Sequence, residues 1–404
     1  MINLYNFAKS NRSDMPSGTE KFIASRLAFK GRLPMICIAV SYLVMIVAVA
    51  VSGGFRSEIR RGVGDICGDV RLIPVGQDYL GENTPLSQSA AYLDQVRAMP
   101  EVEKVDPVIY RAGIIKQGDR IHGVMFKGVP DRTDTTSLGV SIPRRLSRIL
   151  GVGEGDPLLA YFVGEKVKAR KFTVTEIYDG ILDGDDKLVV YASLSDMQRL
   201  NQWAEDQASA FEIKVRAPYN SPSGLKRLEG EVGFVASSFL GEDDETVYAS
   251  SSVSAYPQLF DWLNLLDFNV LFILILMTAV AGVNMISGLL IMLFEHISTI
   301  GLFKSLGMTD RSIGKVFLKV SSGVVLKGMA AGNAIALLFC LVQSLTHIIP
   351  LNPENYFVSY VPVHIDILKV ILADVLSYGI IMLLMLIPSK FISKVDPAQT
   401  LRVN

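Results

Sequence analysis

The sequence predicts an α-helical membrane protein: four transmembrane helices carrying one large α+β extracytoplasmic domain. Three observations support this. Of the 404 residues, 50% are hydrophobic, and the apolar excess is confined to four blocks. A stretch of ordinary globular composition separates the first block from the other three. Lysine and arginine are distributed unevenly among the connecting loops.

A hydrocarbon core about 30 Å thick needs roughly 20 apolar helical residues to cross it. Residues 33–54 form the first candidate span and carry no charge in their apolar part. Residues 266–294 form the second, with no ionisable residue from Phe268 to Phe294. The third is 320–346, with Lys319 and Lys327 near one end. The fourth is 365–388, interrupted by Asp366, Lys369 and Asp374. Orientation follows from basic residues in short loops. The N-terminal segment 1–32 holds Lys9, Arg12, Lys21, Arg26, Lys30 and Arg32, and segment 295–319 holds Lys304, Arg311, Lys315 and Lys319. The tail 389–404 holds Lys390, Lys394 and Arg402, whereas the loop 347–364 has none. Both termini are therefore expected to be cytoplasmic and residues 55–265 to be periplasmic. Phe22, Ile23 and Leu27, interspersed with Lys21, Arg26 and Lys30, suggest a short interfacial helix before the first span.

Within 55–265 the pattern is mixed. Asp106–Lys116 and Arg120–Val129 read as strands joined at Gln117-Gly118-Asp119, a hairpin signal. Lys171–Tyr178 and Lys187–Tyr191 are further strand candidates. Helices are expected over Ser87–Met99, Pro143–Leu150 and Ser193–Trp203, and from Pro222, with Ser221 as cap. Only three cysteines are present, of which Cys37 and Cys340 lie in apolar blocks, so Cys67 has no partner for a disulfide framework. The acidic run Glu242–Glu245 lacks the alternating ligands and glycine of a calcium loop, and Asp183, Asp185 and Asp186 are read in the same way, as solvated turns.

Catalytic chemistry is not in evidence. His122, His296, His347 and His364 are scattered without ligand spacing, and no nucleophile elbow or phosphate loop occurs. A formal net charge of −1 leaves no basic footprint for nucleic acid. The expectation is a non-catalytic chain with no metal or cofactor of its own, driven by a partner.

The loop after the second span is the most specific stretch. Ile297, Ile300 and Lys304 share one helical side, with Phe303 and Leu306 close by. Gly307 can end that helix in a left-handed conformation, and Thr309 can cap the next. The string Glu295, Ile300, Gly301, Lys304, Leu306, Gly307 and Ile313 resembles the coupling segment of FtsX-like/MacB-like ABC transporter permeases. Asp396-Pro397-Ala398-Gln399-Thr400-Leu401-Arg402 resembles the ending of that family. Gly151–Tyr161, Arg170–Asp185, Leu200–Ile213 and Asn355–Pro362 narrow the resemblance to the lipoprotein-releasing LolC/LolE type. Ser52 and Gly53 depart from the methionine and asparagine of the family pattern after the first span. The Asp156–Phe172 stretch is short where one subunit type carries a hook for the periplasmic carrier.

The resemblance implies a permease subunit that extracts lipoproteins from the outer leaflet of the inner membrane. Its partners would be a second permease (homo- or heterodimer), an ABC ATPase subunit that binds ATP and Mg, the lipoprotein substrate, membrane lipids and a periplasmic lipoprotein carrier. It also implies a substrate cavity between first and second spans of opposite subunits, for which Met45, Val49, Phe55, Phe268 and Phe272 are the lining candidates. Rival readings are a MacB-like efflux permease and an FtsX-like scaffold regulating periplasmic hydrolases. Gly328 and Gly332 form a GxxxG pattern suited to close helix packing. Asn284, Asn333 and Asp374 are expensive in lipid and are expected to face protein, with a proton relay as the alternative.

Overall fold

The computed structural model describes residues 32–76, 85–130, 138–164, 166–180, 188–242, 244–352 and 356–389. The chain divides into two compact units, one of residues 1–54, 265–348 and 362–404, the other of 55–264 and 349–361. The interfacial-helix candidate before the first span, the Asp183–Asp186 cluster and the C-terminal motif at 396–402 lie outside the described residues.

The first unit is helical. Among the described residues, four helices are long and apolar enough to cross a membrane: α1 (Arg32–Cys67), α7 (Pro257–Glu295), α9 (Asp310–Thr346) and α10 (Ile367–Leu384) with α11 (Leu386–Ser389). A short α8 (Ile297–Ser305) joins α7 to α9. Ile38 and Tyr42 of α1 pack with Ala281, Met285 and Leu289 of α7, Val325 of α9 and Ile381 of α10. The GxxxG pair explains how closely α9 approaches α1. A Cβ on Gly332 would stand 2.4 Å from the Ala39 carbonyl oxygen, and one on Gly328 2.8 Å from Ile38 Cγ2. Two of the three charges in the fourth apolar block start its helix. Asp366 caps α10, accepting from the Leu368 and Lys369 amides at 3.1 and 3.4 Å.

The helices exceed the expected spans. α1 has 36 residues, about 54 Å at 1.5 Å per residue, against an apolar run that stops near Ser52. Past that point Phe55, Ile59, Val63 and Cys67 recur every fourth residue and are all buried, an amphipathic continuation. Its burial outweighs the loss of helix propensity at Gly53 and Gly54, about 1 kcal/mol each. α7 begins at Pro257 rather than near residue 266, with proline in its first turn. The third span and the second arm of the elbow are one 37-residue helix.

Among its described residues the second unit is built on a nine-stranded sheet ordered β11-β1-β10-β3-β4-β8-β5-β7-β6. Its strands are β1 (Val70–Pro74), β3 (Val102–Gln117), β4 (Arg120–Val129), β5 (Gly139–Pro143), β6 (Pro157–Phe162), β7 (Lys168–Tyr178), β8 (Val189–Ser193), β10 (Ala210–Val215) and β11 (Val247–Ser251). β3 is long enough to serve two layers. Its first half pairs with β10, while its second half pairs with β4 on one side and β6 on the other. That last pairing closes β3, β4, β8, β5, β7 and β6 into a ring around Phe126, Phe162, Phe172 and Val190. The predicted hairpin has Gln117 opposite Arg120 and Gly118 at φ +60°, the left-handed geometry that two-residue loops need.

Three helices fall close to expectation: α3 (Arg144–Leu150), α4 (Leu194–Asn201) and α5 (Pro222–Ser238), the last with Ser221 Oγ accepting from the Gly224 amide at 3.1 Å. The Ser87–Met99 expectation is corrected. Ser87 belongs to β2 (Leu86–Ser87), which pairs with β9 (Gln207–Ala208), and α2 is confined to Ala91–Arg97. A tertiary ladder there overrides local helix propensity. A short α6 (Ser252–Ala255) follows β11. The outer loop Ile349–Val361 belongs to this unit and folds back on itself, Leu351 donating to Ser359 at 2.9 Å and Val361 to Ile349 at 3.1 Å.

Candidate functional site

The α8–α9 elbow forms as its residues predict. α8 runs to Ser305, and the Leu306, Gly307 and Met308 amides donate to the carbonyls of Leu302, Lys304 and Phe303 at 3.0 Å each. Gly307 sits at φ +90°. Thr309 then accepts from the Ser312 amide at 3.2 Å, and Asp310 occupies the positive first turn of α9. Lys304 Nζ spans the turn to Asp310 Oδ1 at 2.9 Å, which holds the two arms at a set angle.

The seven residues of the coupling string separate into two groups. Ile300, Gly301 and Ile313 are buried in the first unit, the two isoleucines packed with Val316 and Phe317. They shape the elbow from within, and Lys304 braces it. Glu295, Leu306 and Gly307 are exposed. Ser298, Leu302 and Leu306 follow one another at every fourth position, so they form one ridge, with Leu306 71% and Leu302 49% exposed. Leu302 was absent from the string, although its spacing from Leu306 was visible in the sequence.

Within the single chain the five cavity candidates stand in different settings. Met45 is buried against α7, where Thr278 Oγ1 lies 3.9 Å from its sulfur. Val49 is half-buried. Phe55 belongs to the second unit and packs edge-on against Trp262 with centroids 5.8 Å apart, and Trp262 meets Phe357 at 6.1 Å. Phe268 and Phe272 are open, 65% and 61% exposed, along the α7 face that also presents Leu271 and Ile275. Of the five, these two are the exposed ones.

The junction after the first span has a steric role that residue type alone did not reveal. A Cβ on Gly54 would lie 2.2 Å from the Pro362 carbonyl oxygen, and the His364 amide donates to the Ala50 carbonyl at 3.0 Å. Glycine at position 54 is thus required by a backbone lying against α1.

A buried polar cluster in the second unit escaped the sequence reading. Lys127 Nζ contacts Glu212 Oε1 at 2.7 Å and donates to the Asp65 and Ile66 carbonyls at 2.8 and 3.0 Å. Tyr110 Oη donates to Glu212, and Tyr191 Oη to the Asp65 carbonyl at 3.2 Å. These donors cap the last turn of α1, where carbonyls lack intrahelical partners and the dipole favours a cation. Burial raises the Glu212 carboxyl above the usual carboxylate range against the opposing pull of Lys127, and burial pushes the Cys67 thiol beside it up to about 12. The available signal was a lone lysine inside Val124-Met125-Phe126-Lys127-Gly128-Val129 and a lone glutamate inside Phe211-Glu212-Ile213.

Comparison with known proteins gives the following similarities. Residues 271–397 match the FtsX-like permease C-terminal family. The lipoprotein-releasing system transmembrane protein LolC of Neisseria meningitidis serogroup B is 23% identical over 90% of this chain and 92% of its own. LolE of Haemophilus influenzae is 20% identical over 93% of this chain and 94% of its own. The periplasmic region of MacB from Actinobacillus actinomycetemcomitans is 15% identical over 49% of this chain and 94% of its own, with a TM-score of 0.31. Over residues 271–397 the chain is thus similar to the FtsX-like permeases and, at low identity but over most of its length, to the LolC and LolE permeases.

Proposed function

We propose that the chain is the permease subunit of an ABC transporter that extracts lipoproteins from the outer leaflet of the inner membrane for transfer toward the outer membrane. The observation that carries this reading is the similarity to LolC and LolE over 90% and 93% of the chain, spanning both units. The second unit would be periplasmic and both termini cytoplasmic, as the basic residues of the loops require. The assembly would contain two permeases, identical or sibling, and an ATPase pair that binds ATP and Mg.

The physical task explains the division of labour. At about 0.8 kcal/mol per buried CH₂, a diacyl or triacyl anchor with dozens of methylenes is held by tens of kcal/mol. Release therefore needs an external energy source and an apolar surface that replaces lipid. The exposed ridge of Ser298, Leu302 and Leu306 is the docking edge for the ATPase. Phe268 and Phe272 are the apolar surface offered to the acyl chains. Transfer to a periplasmic lipoprotein carrier would complete the cycle.

The test is purification of the full chain with its ATPase partner in detergent, with mass spectrometry of bound material. Three forms are compared: the intact chain, Leu306→Asp and Phe272→Ser. Acylated lipoproteins with the intact chain, reduced at least tenfold in Phe272→Ser while the ATPase stays bound, support the reading. Loss of the ATPase in Leu306→Asp supports the docking edge. An intact chain that retains its ATPase but carries no acylated cargo would sink the lipoprotein assignment.

A further inference from the structure

From Leu265 to Leu276, α7 is apolar on every side except at Asp267 and Asn269. Hydropathy therefore gives this end of the helix no preferred side to turn toward α1. Apolar helices in lipid have no hydrophobic drive toward each other, and polar contacts act as the glue between them. An ionisable residue at membrane depth needs a polar partner. Asp267 has one in α1: Ser52 Oγ donates to Asp267 Oδ1 at 3.0 Å, and Ser52 is only 8% exposed.

Ser52 is itself held from the other side of α1. The His364 amide donates to the Ala50 carbonyl at 3.0 Å, and a Cβ on Gly53 would stand 3.2 Å from the His364 carbonyl oxygen. With Gly54 against Pro362, the backbone leading into α10 fixes α1 from behind. Ala50 and Gly54 each lie two residues from Ser52, about 200° around the helix, so Ser52 points away from that backbone and reaches α7. The same seam continues inward. Met45, about two turns before Ser52, has its sulfur 3.9 Å from Oγ1 of Thr278, about three turns after Asp267. Methionine, which the family pattern carries in place of Ser52, offers no donor, so the contact with Asp267 is a feature of this chain.

We infer that Ser52 is a positioning residue: through Asp267 it sets the rotation of the Asp267 end of α7, and so the side on which Phe268 and Phe272 are offered to acyl chains. The inference rests on the reading of those two phenylalanines as the acyl-contacting surface. Asp267 and Phe268 are neighbours about 100° apart on the helix, and Phe272 follows Phe268 about one turn on. A bond that turns Asp267 toward α1 therefore turns both rings away from it, in keeping with their 65% and 61% exposure. Rotation of α7 by one residue's arc would place Phe268 where Asp267 stands, inside the seam.

The experiment places the full chain with its ATPase partner in nanodiscs containing a phospholipid with a photoactivatable diazirine in its acyl chain, and maps the label by mass spectrometry. In the intact chain Phe268 and Phe272 should be labelled. In Ser52→Ala, Ser52→Met and Asp267→Leu their labelling should fall at least threefold, while Ser52→Thr, which keeps the hydroxyl, should retain it. Ser52→Ala combined with Asp267→Leu should match either single variant, as expected of two residues acting through one contact. The thermal midpoint of Ser52→Ala should stay close to that of the intact chain. Unchanged labelling in Ser52→Ala, additive losses in the double variant, or a loss that comes only with a collapsed midpoint would overturn the positioning role. The probe is a phospholipid, so the outcome is read apart from the cargo. Labelling that follows Ser52 in a chain that carries no acylated protein would keep the positioning role and remove the lipoprotein assignment.

Discussion

The two units bury polar groups by different means. In the outer unit a full charge pair, Lys127 with Glu212, sits under the sheet. It is sustained by two helix carbonyls and by the hydroxyl of Tyr110. In the helical unit hydroxyl pairs recur instead: Tyr42 with Ser377 and Ser322 with Tyr378. Close approach there comes from glycine, at Gly328, Gly332 and Gly54. The contrast shows that a buried ion pair survives where enough polar partners converge on it. Lipid-embedded helices, lacking a hydrophobic drive toward each other, rely on backbone proximity and single hydrogen bonds.

The sharpest way to break this comparison is to unpair the outer cluster. Lys127→Met leaves Glu212 buried without its lysine partner and takes one of two donors from each of the Asp65 and Ile66 carbonyls, and should cost about 3–5 kcal/mol. Adding Glu212→Gln should recover most of it. Thermal unfolding of the single and double variants in detergent gives the coupling, and additive losses would show that the pair is not a unit.

Glycine contacts in the helical unit should come next. Gly332→Ala and Gly54→Ala press a methyl onto backbone atoms of Ala39 and Pro362, and overpacking of this sort costs about 1–3 kcal/mol. Gly379→Ala, which meets nothing within 4 Å, is the control and should be neutral or slightly stabilising. Equal midpoints for all three would mean that the helices do not depend on these contacts.

A smaller effect is expected from titration. Burial raises the Glu212 carboxyl in the folded protein, so the folded state binds its proton more readily than the unfolded chain. Its contribution to stability is complete below the unfolded value, about 4.3, and is lost as pH rises through the folded value. The intact chain should therefore lose stability relative to Glu212→Gln as pH climbs from about 4 toward neutrality. Parallel profiles would indicate a carboxyl that titrates normally.

The smallest effect on folding belongs to the elbow's ridge. Leu306→Asp should change the unfolding free energy by less than about 0.5 kcal/mol while abolishing ATPase co-purification. Ile313→Asp, which buries a charge in the helical core, should prevent folding altogether. If Leu306→Asp unfolds the protein as well, the ridge is packing surface and not a docking edge.

Much of this was legible along the chain. The four spans announce themselves because a hydrocarbon core demands about 20 uninterrupted apolar residues, a signal independent of what packs on what. The elbow was readable for a local reason, since Gly307 and Thr309 are residues whose backbone and side chain end and begin helices by themselves. The hairpin at Gly118 belongs to the same class. Local chemistry was misleading at Ser87, where pairing with Gln207 decided the outcome.

What the sequence determined by itself was therefore periodicity, length and punctuation: a four-helix membrane unit, a large α+β domain and a helical elbow. Only the tertiary structure decided which side chains face each other. It showed that Ile300 and Ile313 support the elbow from within while Leu306 faces outward. It also showed that α1 continues to Cys67, where Lys127, Tyr110 and Tyr191 cap it. Residues 44 to 126 positions away supply those partners. A contact across that separation is set by sheet register and helix packing, and leaves no mark in the residues on either side of it.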